Sequence, residues 1–499
     1  MISPEKWLET YDHAGHFCPY YCYNNINDLH VHIGEALGMF PVGERWIDPV
    51  AIVEYLAKTY ILADRTMVQN ISRTPWMARP RGEGWDYAGV PEHGFHRMPA
   101  AEIARELKMR LLDEVINYLH GKKQIGILLS GSMDSRILAG IVKELQLRGE
   151  WNGQVTAFTW GVKGSRDVEY AQKIAGTFSW EWVHLELTPE VLYNNFFIAA
   201  EMGAEFAPHH LHAMQKVIDY KEELDVVLAA TYGDSIGRGE FSGTHLIDCQ
   251  PTLEGRSFYL IKRRDFWLVS SKVYKDVENK VVEDAYGYKN LLNVDNQKHN
   301  CVEIELMMHY LRRKLMPAMS YIGMHIPLYQ IFTHPRVFGF MWSLDPQIRN
   351  DEIYSELLKI LPGNLSSIPW ARTGKTFGSN EGERDSSSKE HHKYGIWLRH
   401  DLHDFIESHV LSETILGLNI FNEKLLKNLV RIWPKAKTIS TNKIDEILSW
   451  LTSLCIFIRK YNIRSPYGIN MQEIKDTLGF LCGSITAWLY QEARERLRE

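Results

Sequence analysis

The chain has 499 residues, more than one hydrophobic core usually serves, so roughly two or three domains are expected. A formal net charge of −6 gives no reason to expect a general nucleic-acid surface, and an apolar fraction of 45% with 15 Trp and 24 Tyr excludes a disordered chain. The 6 cysteines are too sparse for a disulfide framework, no apolar run reaches the roughly 18 residues that span a bilayer, and the start, MISPEKWLETYDHAGH, lacks the basic and apolar regions of a signal peptide. A reducing cytoplasm and no membrane partner are the expectation.

Residues 1–98 mix strand-like runs at 20–23 and 29–33 with a helix over 48–62, which Asp48 can cap and Pro49 can start. His13, His16, Cys18 and Cys22 are all zinc-binding types. Their Cys-x3-Cys and His-x2-His spacings match no common zinc module, so packing around PYYCY is the preferred reading. The stretch 79-RPRGEGWDYAGVPEHG-94 reads as loop or edge. Over 99–120 the spacing of Ile103, Leu107, Leu111, Val115 and Leu119 is helical.

The next elements alternate. Strands at 125–129, 155–160 and 182–187 lead into helices at 134–147, 167–178 and a helical stretch to 220, and a further strand follows at 225–230. Short connections between alternating strands and helices predict an α/β fold with a doubly wound parallel sheet. The cluster 208-PHHLH-212 reads as polar site lining in preference to a metal cage, because its spacing is undefined. Residues 251–300 read as an insertion, and the chain from 302 on is mostly helical. A Gly/Ser/charge-rich break at 372–393 has the composition of a mobile lid, with Gly374 and Gly378 at its start. The division is therefore a small N-terminal α+β part (1–98), a nucleotide-binding part (99–395) and a helical C-terminal region (396–499).

The stretch 125-IGILLSGSMDSRILAGIV-142 buries a strand, stops on small residues, offers one carboxylate and buries itself again. In an open α/β sheet, ligands sit beyond the carboxyl ends of the strands. Ser130, Gly131, Ser132 and Ser135 can turn tightly there, with N–H groups and a helix N-terminus facing outward, as an anion cradle. Asp134 makes sense in such a place if a divalent cation sits between it and a phosphate; its simpler role is a helix cap. The stretch 226-VVLAATYGDSIGRGEFSG-243 ends a second strand in the same way and offers Asp234. Two aspartates delivered to one sheet edge suit Mg²⁺ on a polyphosphate.

LLSGSMDSRI resembles the pyrophosphate-loop (PP-loop) motif of the asparagine synthetase family, usually Ser-Gly-Gly-x-Asp-Ser. AFTWG, DVEYAQKIAG, HLELTPE, VVLAATYGDSIGRG, HIPLYQ and RTGKTFG follow in that family's order, and residues 46–73 are similar to the end of its N-terminal amidohydrolase domain. The resemblance implies an adenine-nucleotide α-hydrolase-like fold that binds ATP and Mg²⁺. It places Ser130, Gly131, Ser132, Asp134, Ser135 and Gly233 on the phosphates, and Leu128, Trp160 and Ala230 along the adenine. Asp134 and Asp234 would hold Mg²⁺. Lys375, with Arg372 beside it, would be the catalytic lysine of the adenylation step. The implied reaction is AMP- and pyrophosphate-forming: a small-molecule or peptide carboxylate is adenylated and passed to an amine, as in β-lactam synthetases and lasso-peptide cyclases.

The departures narrow this reading. Position 2 is Ile2, where the family's glutaminase half needs cysteine, so glutamine hydrolysis is not expected. Ser132 replaces the second loop glycine, which is tolerable at negative φ. Thr231 stands where asparagine synthetases carry a catalytic glutamate, Tyr232 can take that role by a one-residue shift, and Gly323 replaces an acid. Two other readings stay open: adenylation for sulfur transfer or RNA modification, and a nucleotide-binding protein without catalysis.

Overall fold

The computed structural model describes residues 18–87, 96–239, 265–287, 304–376, 389–468 and 474–496. His13, His16, Ile2 and Gly378 lie outside the described residues.

The N-terminal part is a three-stranded antiparallel sheet in which β1 (Tyr20–Cys22) lies between β2 (Asn25–His30) and β3 (Ile71–Arg73). Helix α1 (Pro49–Lys58) starts as expected: the Asp48 carboxylate accepts from the Val50 N–H at 2.9 Å, with Pro49 in the first turn. It ends short of residue 62 because Thr59 turns left-handed at φ 65°. The stretch expected as loop contains a hairpin, β4 (Ala78–Arg81) and β5 (Gly84–Tyr87). Its turn uses Gly82 at φ 61°, and Trp85 gives it an apolar anchor edge-on to Tyr21. Cys22 donates to the Ala36 carbonyl at 3.6 Å, burial pushes its thiol up to about 11, and Cys18 accepts from Arg312. Both cysteines therefore have partners other than a metal.

Helix α2 (Ala100–Leu119) leads into the central sheet. Strand β6 (Gln124–Leu128), helix α3 (Met133–Leu147), β7 (Gln154–Gly161), α4 (Arg166–Phe178), β8 (Glu181–Glu186), α5 (Pro189–Glu201) and β9 (Val226–Ala229) alternate as predicted. A fifth strand, β10 (Leu328–Gln330), joins far along the chain, in HIPLYQ. The order is β10-β9-β6-β7-β8, all parallel. This is the doubly wound PP-loop-type fold that the sequence predicts. Strands β6 and β9 are buried along nearly their whole length, as the centre of a parallel sheet requires. The chain runs outward in one direction from β6 through β7 and in the other through β9, so the crevice where strand order reverses lies between the ends of β6 and β9.

Inside the stretch expected as an insertion, helix α6 (Ser271–Tyr286) packs on α1, with Asp284 accepting from Arg65 at 2.5 Å. In the C-terminal region, helix α7 (Lys443–Tyr461) lies against α5, stacks Trp450 on Tyr55 at 4.1 Å and donates from Trp450 to the Ala204 carbonyl at 2.6 Å. All three parts share one contiguous apolar core.

An ionic knot pins the N-terminal sheet to this core. The fully buried Glu205 accepts from Arg73 and from Arg313, both at 2.9 Å, and both guanidiniums are themselves buried. A carboxylate in low dielectric is tolerable only with such partners, and removing it strands two charges. Glu205→Gln keeps the shape and removes the charge. It should lower stability by about 3–5 kcal/mol in denaturant unfolding. A loss below about 1 kcal/mol, the scale of an exposed pair, would show that the knot is not a stabilising element.

Candidate active site

Beyond Leu128 the chain turns through residues 129–132 into α3. Ser132 precedes the helix at φ −78° and ψ 170°, the negative φ its side chain needs. The hydroxyls of Ser130, Ser132 and Ser135 lie 2.9–3.2 Å from one another, and the Ser130 N–H donates to Ser135 Oγ at 3.1 Å. At Gly131 the N–H donates to Asp167 Oδ1 at 3.2 Å. A Cβ on Gly131 would lie 2.7 Å from Cβ of Ala371, which is why only glycine fits there.

Strand β9 ends in a single wide turn, Gly233–Gly237, that carries Asp234. The turn is pressed onto α3: a Cβ on Gly233 would lie 2.6 Å from Asp134 Oδ1. Tyr354 holds it there by donating to the Gly233 carbonyl at 2.6 Å. Arg238 closes the same turn, pairing with Asp351 at 2.8 Å and approaching Asp134 to 3.8 Å. Thr231, just before, is clamped by the fully buried Gln330 at the end of β10. Its N–H donates to Gln330 Oε1 at 3.0 Å, and its hydroxyl accepts from Gln330 Nε2 at 3.2 Å.

These two strand ends enclose a cavity of about 330 Å³. Of the residues singled out from sequence, Leu128, Ser130, Ser132, Asp134, Ser135, Trp160, Ala230 and Asp234 line it. Gly131 and Gly233 are not among the lining residues; each is the chain neighbour of at least one that is. The donor set of carboxylates and hydroxyls is all hard oxygen and fits Mg²⁺.

Tyr232, Arg372, Gly374 and Lys375 are not among the residues that line the cavity. Tyr232 does not shift into the glutamate's place; its ring is buried in the core near Arg312 and Cys18, and Thr231 lines the cavity instead. Lys375 is exposed and is not among the lining residues. Arg372, also exposed, lies over Trp370 at 5.4 Å. Gly374 is no free hinge. It takes φ 70° in a turn, bonded to the Trp370 carbonyl at 2.7 Å, and the whole turn is docked on the loop through the Ala371 N–H to Gly131 carbonyl bond at 3.1 Å.

Sequence reasoning missed Asp167, His391 and the apolar wall of Met214, Leu315 and Met319 in the cavity lining, and Arg238 beside Asp134. Asp167 carried a signal, since it opens a helix directly after a strand end. The cluster at 208–212 does line the cavity, through His210 and His212. His209, His210 and Glu446 lie close enough to hold a metal, but Lys314 Nζ sits 3.1 Å from the same Glu446 oxygen that the histidines approach at 3.4 and 3.7 Å. An ammonium already fills that place. Burial and then His209 lower the His210 pKa to about 3, so it is a neutral ring at physiological pH.

Residues 106–265 match the family model for asparagine synthase. This part of the chain is asparagine synthetase-like. Asparagine synthetase B [glutamine-hydrolyzing] from Escherichia coli (strain K12) is 28% identical over 179 residues, and the match spans 34% of this chain and 28% of that protein. Among solved structures, NMN synthetase from Francisella tularensis is matched over 42% of this chain and 94% of that one, at 14% identity and a TM-score of 0.22. None of the helices among the described residues is long and apolar enough to cross a membrane.

The contact of Gly233 with Asp134 can be tested directly. Gly233→Ala forces a Cβ against that carboxylate and should cost about 1–3 kcal/mol, the range for overpacking. The measurement is denaturant unfolding. A neutral substitution would mean the turn does not bear on Asp134.

Proposed function

We propose that the protein is an ATP-dependent ligase that adenylates a carboxylate, releasing pyrophosphate, and passes the acyl group to an amine with release of AMP. The observation that carries this reading is the convergence of Asp134 and Asp234, from two neighbouring strand ends, on one cavity walled by the hydroxyls of Ser130, Ser132 and Ser135. The match to the asparagine synthase model supports ATP as the nucleotide.

In this reading the 130–135 turn and the N-terminus of α3 hold the pyrophosphate end of ATP. Leu128, Trp160 and Ala230 face the adenine. Asp134 and Asp234 would hold Mg²⁺, which when bound would neutralise phosphate charge. A carboxylate oxygen of the acid attacks the α-phosphorus. Lys375 stabilises charge on the leaving pyrophosphate, from a turn already docked on Gly131, with Arg372 beside it. The amine then displaces AMP. The substrates are a small-molecule or peptide carboxylate and an amine, without glutamine as the nitrogen source. One observation favours a second reading, a nucleotide-binding protein without catalysis: Thr231, in the place of a catalytic glutamate, is bound up with Gln330. That reading predicts ATP binding without pyrophosphate exchange.

Two experiments follow from these roles. Asp134→Asn and Asp234→Asn should each weaken Mg·ATP binding by about tenfold or more in calorimetry, the cost of losing a charge-assisted contact, with the thermal unfolding of the free protein little changed. Unchanged affinity in both would contradict the site. Lys375→Ala should slow ATP–pyrophosphate exchange about a hundredfold with little change in ATP affinity, because its charge acts chiefly on the departing pyrophosphate. Near-normal exchange would remove Lys375 from the mechanism.

A further inference from the structure

His212 is built into the cavity wall with more constraint than any packing role demands. Its backbone sits at φ 45° and ψ −124°, a conformation that L-residues rarely adopt and that persists only where the surroundings over-determine it. Its carbonyl is held by the buried Asn195, whose Nδ2 donates at 2.8 Å. Its ring stacks on Trp160 with centroids 5.5 Å apart and planes 15° from parallel. Its Nδ1 is 2.9 Å from the Tyr394 hydroxyl. One ring nitrogen is thus committed to Tyr394, and Nε2 is the one left for the cavity that the residue lines.

Its protonation state fits a proton acceptor. Burial, then the nearness of His391 and His392, hold the His212 pKa well below the usual histidine value, so the ring is neutral at physiological pH. Burial likewise keeps the Tyr394 phenol un-ionised. The neighbouring histidines are less suited. His210 and His209 turn to Glu446, and His391 is partly exposed, 3.9 Å from Asp167. At the remaining position of interest, Thr231 offers a hydroxyl already bonded to an amide, which is no base.

We propose that His212 is the base of the second half-reaction and takes the proton of the attacking amine, the task that falls vacant at Thr231. The proposal rests on the adenylating reading above. The amine nitrogen bonds to the acyl carbon. The bond from that carbon to the phosphate oxygen breaks, and its electron pair leaves with AMP. One proton of the nitrogen passes to Nε2 of His212 and is later lost to water, while Tyr394 accepts from Nδ1–H and fixes the tautomer.

The test separates the half-reactions. ATP–pyrophosphate exchange is measured with acetate, octanoate, aspartate and glutamate, and amide formation is then measured with methylamine and any acid that supports exchange. His212→Gly accepts the backbone geometry and removes the ring; His212→Gln is a second variant that keeps a side chain. We expect exchange within about threefold of the parent, amide formation lowered about a hundredfold or more, and recovery of amide formation by added imidazole in His212→Gly. Unchanged amide formation, an equal loss in both half-reactions, or no recovery by imidazole would each overturn the proposal. So would unfolding of both variants in a thermal melt, which would assign His212 to the scaffold. No exchange by the parent protein with any acid overturns the adenylating reading itself, and this proposal with it, a failure distinct from all the others.

Discussion

The site depends on one buried cation. Arg136 lies in the first turn of α3, fully buried, and its guanidinium binds backbone carbonyls: those of Leu365 and Ile368 at 3.0 and 2.5 Å, Pro369 at 2.9 Å and Gly131 at 3.1 Å. Burial lowers its pKa to about 9, yet it remains charged at neutral pH. A guanidinium removed from water is tolerable only when its donors are satisfied, and here the acceptors are the two segments that must meet. The segment ending at Pro369 is drawn onto the loop, Ala371 then seals against Gly131, and the turn bearing Arg372 and Lys375 is set down at the loop's edge. The same charge places a fixed positive potential directly behind the N–H groups of the loop, where an anion gains most from it.

The cavity that results has two chemistries. One part is acidic and hydroxylic, with Asp134, Asp167 and Asp234 beside the serines. The other is aromatic and neutral, with His210 and His212 kept uncharged by burial and then by His209 and by His391 and His392 respectively, next to Met214, Leu315 and Met319. In the proposed reaction the first would take a metal-bound polyphosphate and the second an acyl group and an amine. Position 231 lies between these demands. There the hydroxyl–amide pair with Gln330 puts a neutral contact at the end of β9, and Gln330 itself comes from a strand roughly a hundred residues further on.

Much of this was legible in the sequence, for a physical reason. Parallel strands buried on both faces write themselves as apolar runs, and the small residues that end β6 and β9 mark the crevice, so the sheet, the loop and both aspartates were found within a residue or so of their observed places. What was not legible has causes of its own. Strand β10 is three residues long and offers no period to detect. The hairpin at 78–87 hid behind its glycines and prolines, whose turn chemistry outweighed the tryptophan that anchors it. Arg136 could not have been singled out, because its partners are backbone carbonyls up to 233 positions away and a carbonyl has no letter. Tyr232 failed for a simple reason: the chain turns after β9 ends at Ala229, and the turn carries the ring into the core. The histidines were seen as lining, but the strain and stacking that distinguish His212 exist only in three dimensions.

The central claim is that the turn between β6 and α3 grips the pyrophosphate end of ATP. The most direct measurement is a crystal structure of the protein with Mg²⁺ and the α,β-methylene analogue of ATP, which cannot be cleaved at the α-phosphorus. The account predicts the β- and γ-phosphates on the 130–135 turn, displacing Asp167 from the Gly131 N–H, with the metal between Asp134 and Asp234. A nucleotide bound elsewhere, or an analogue whose phosphates point away from that turn, would contradict it.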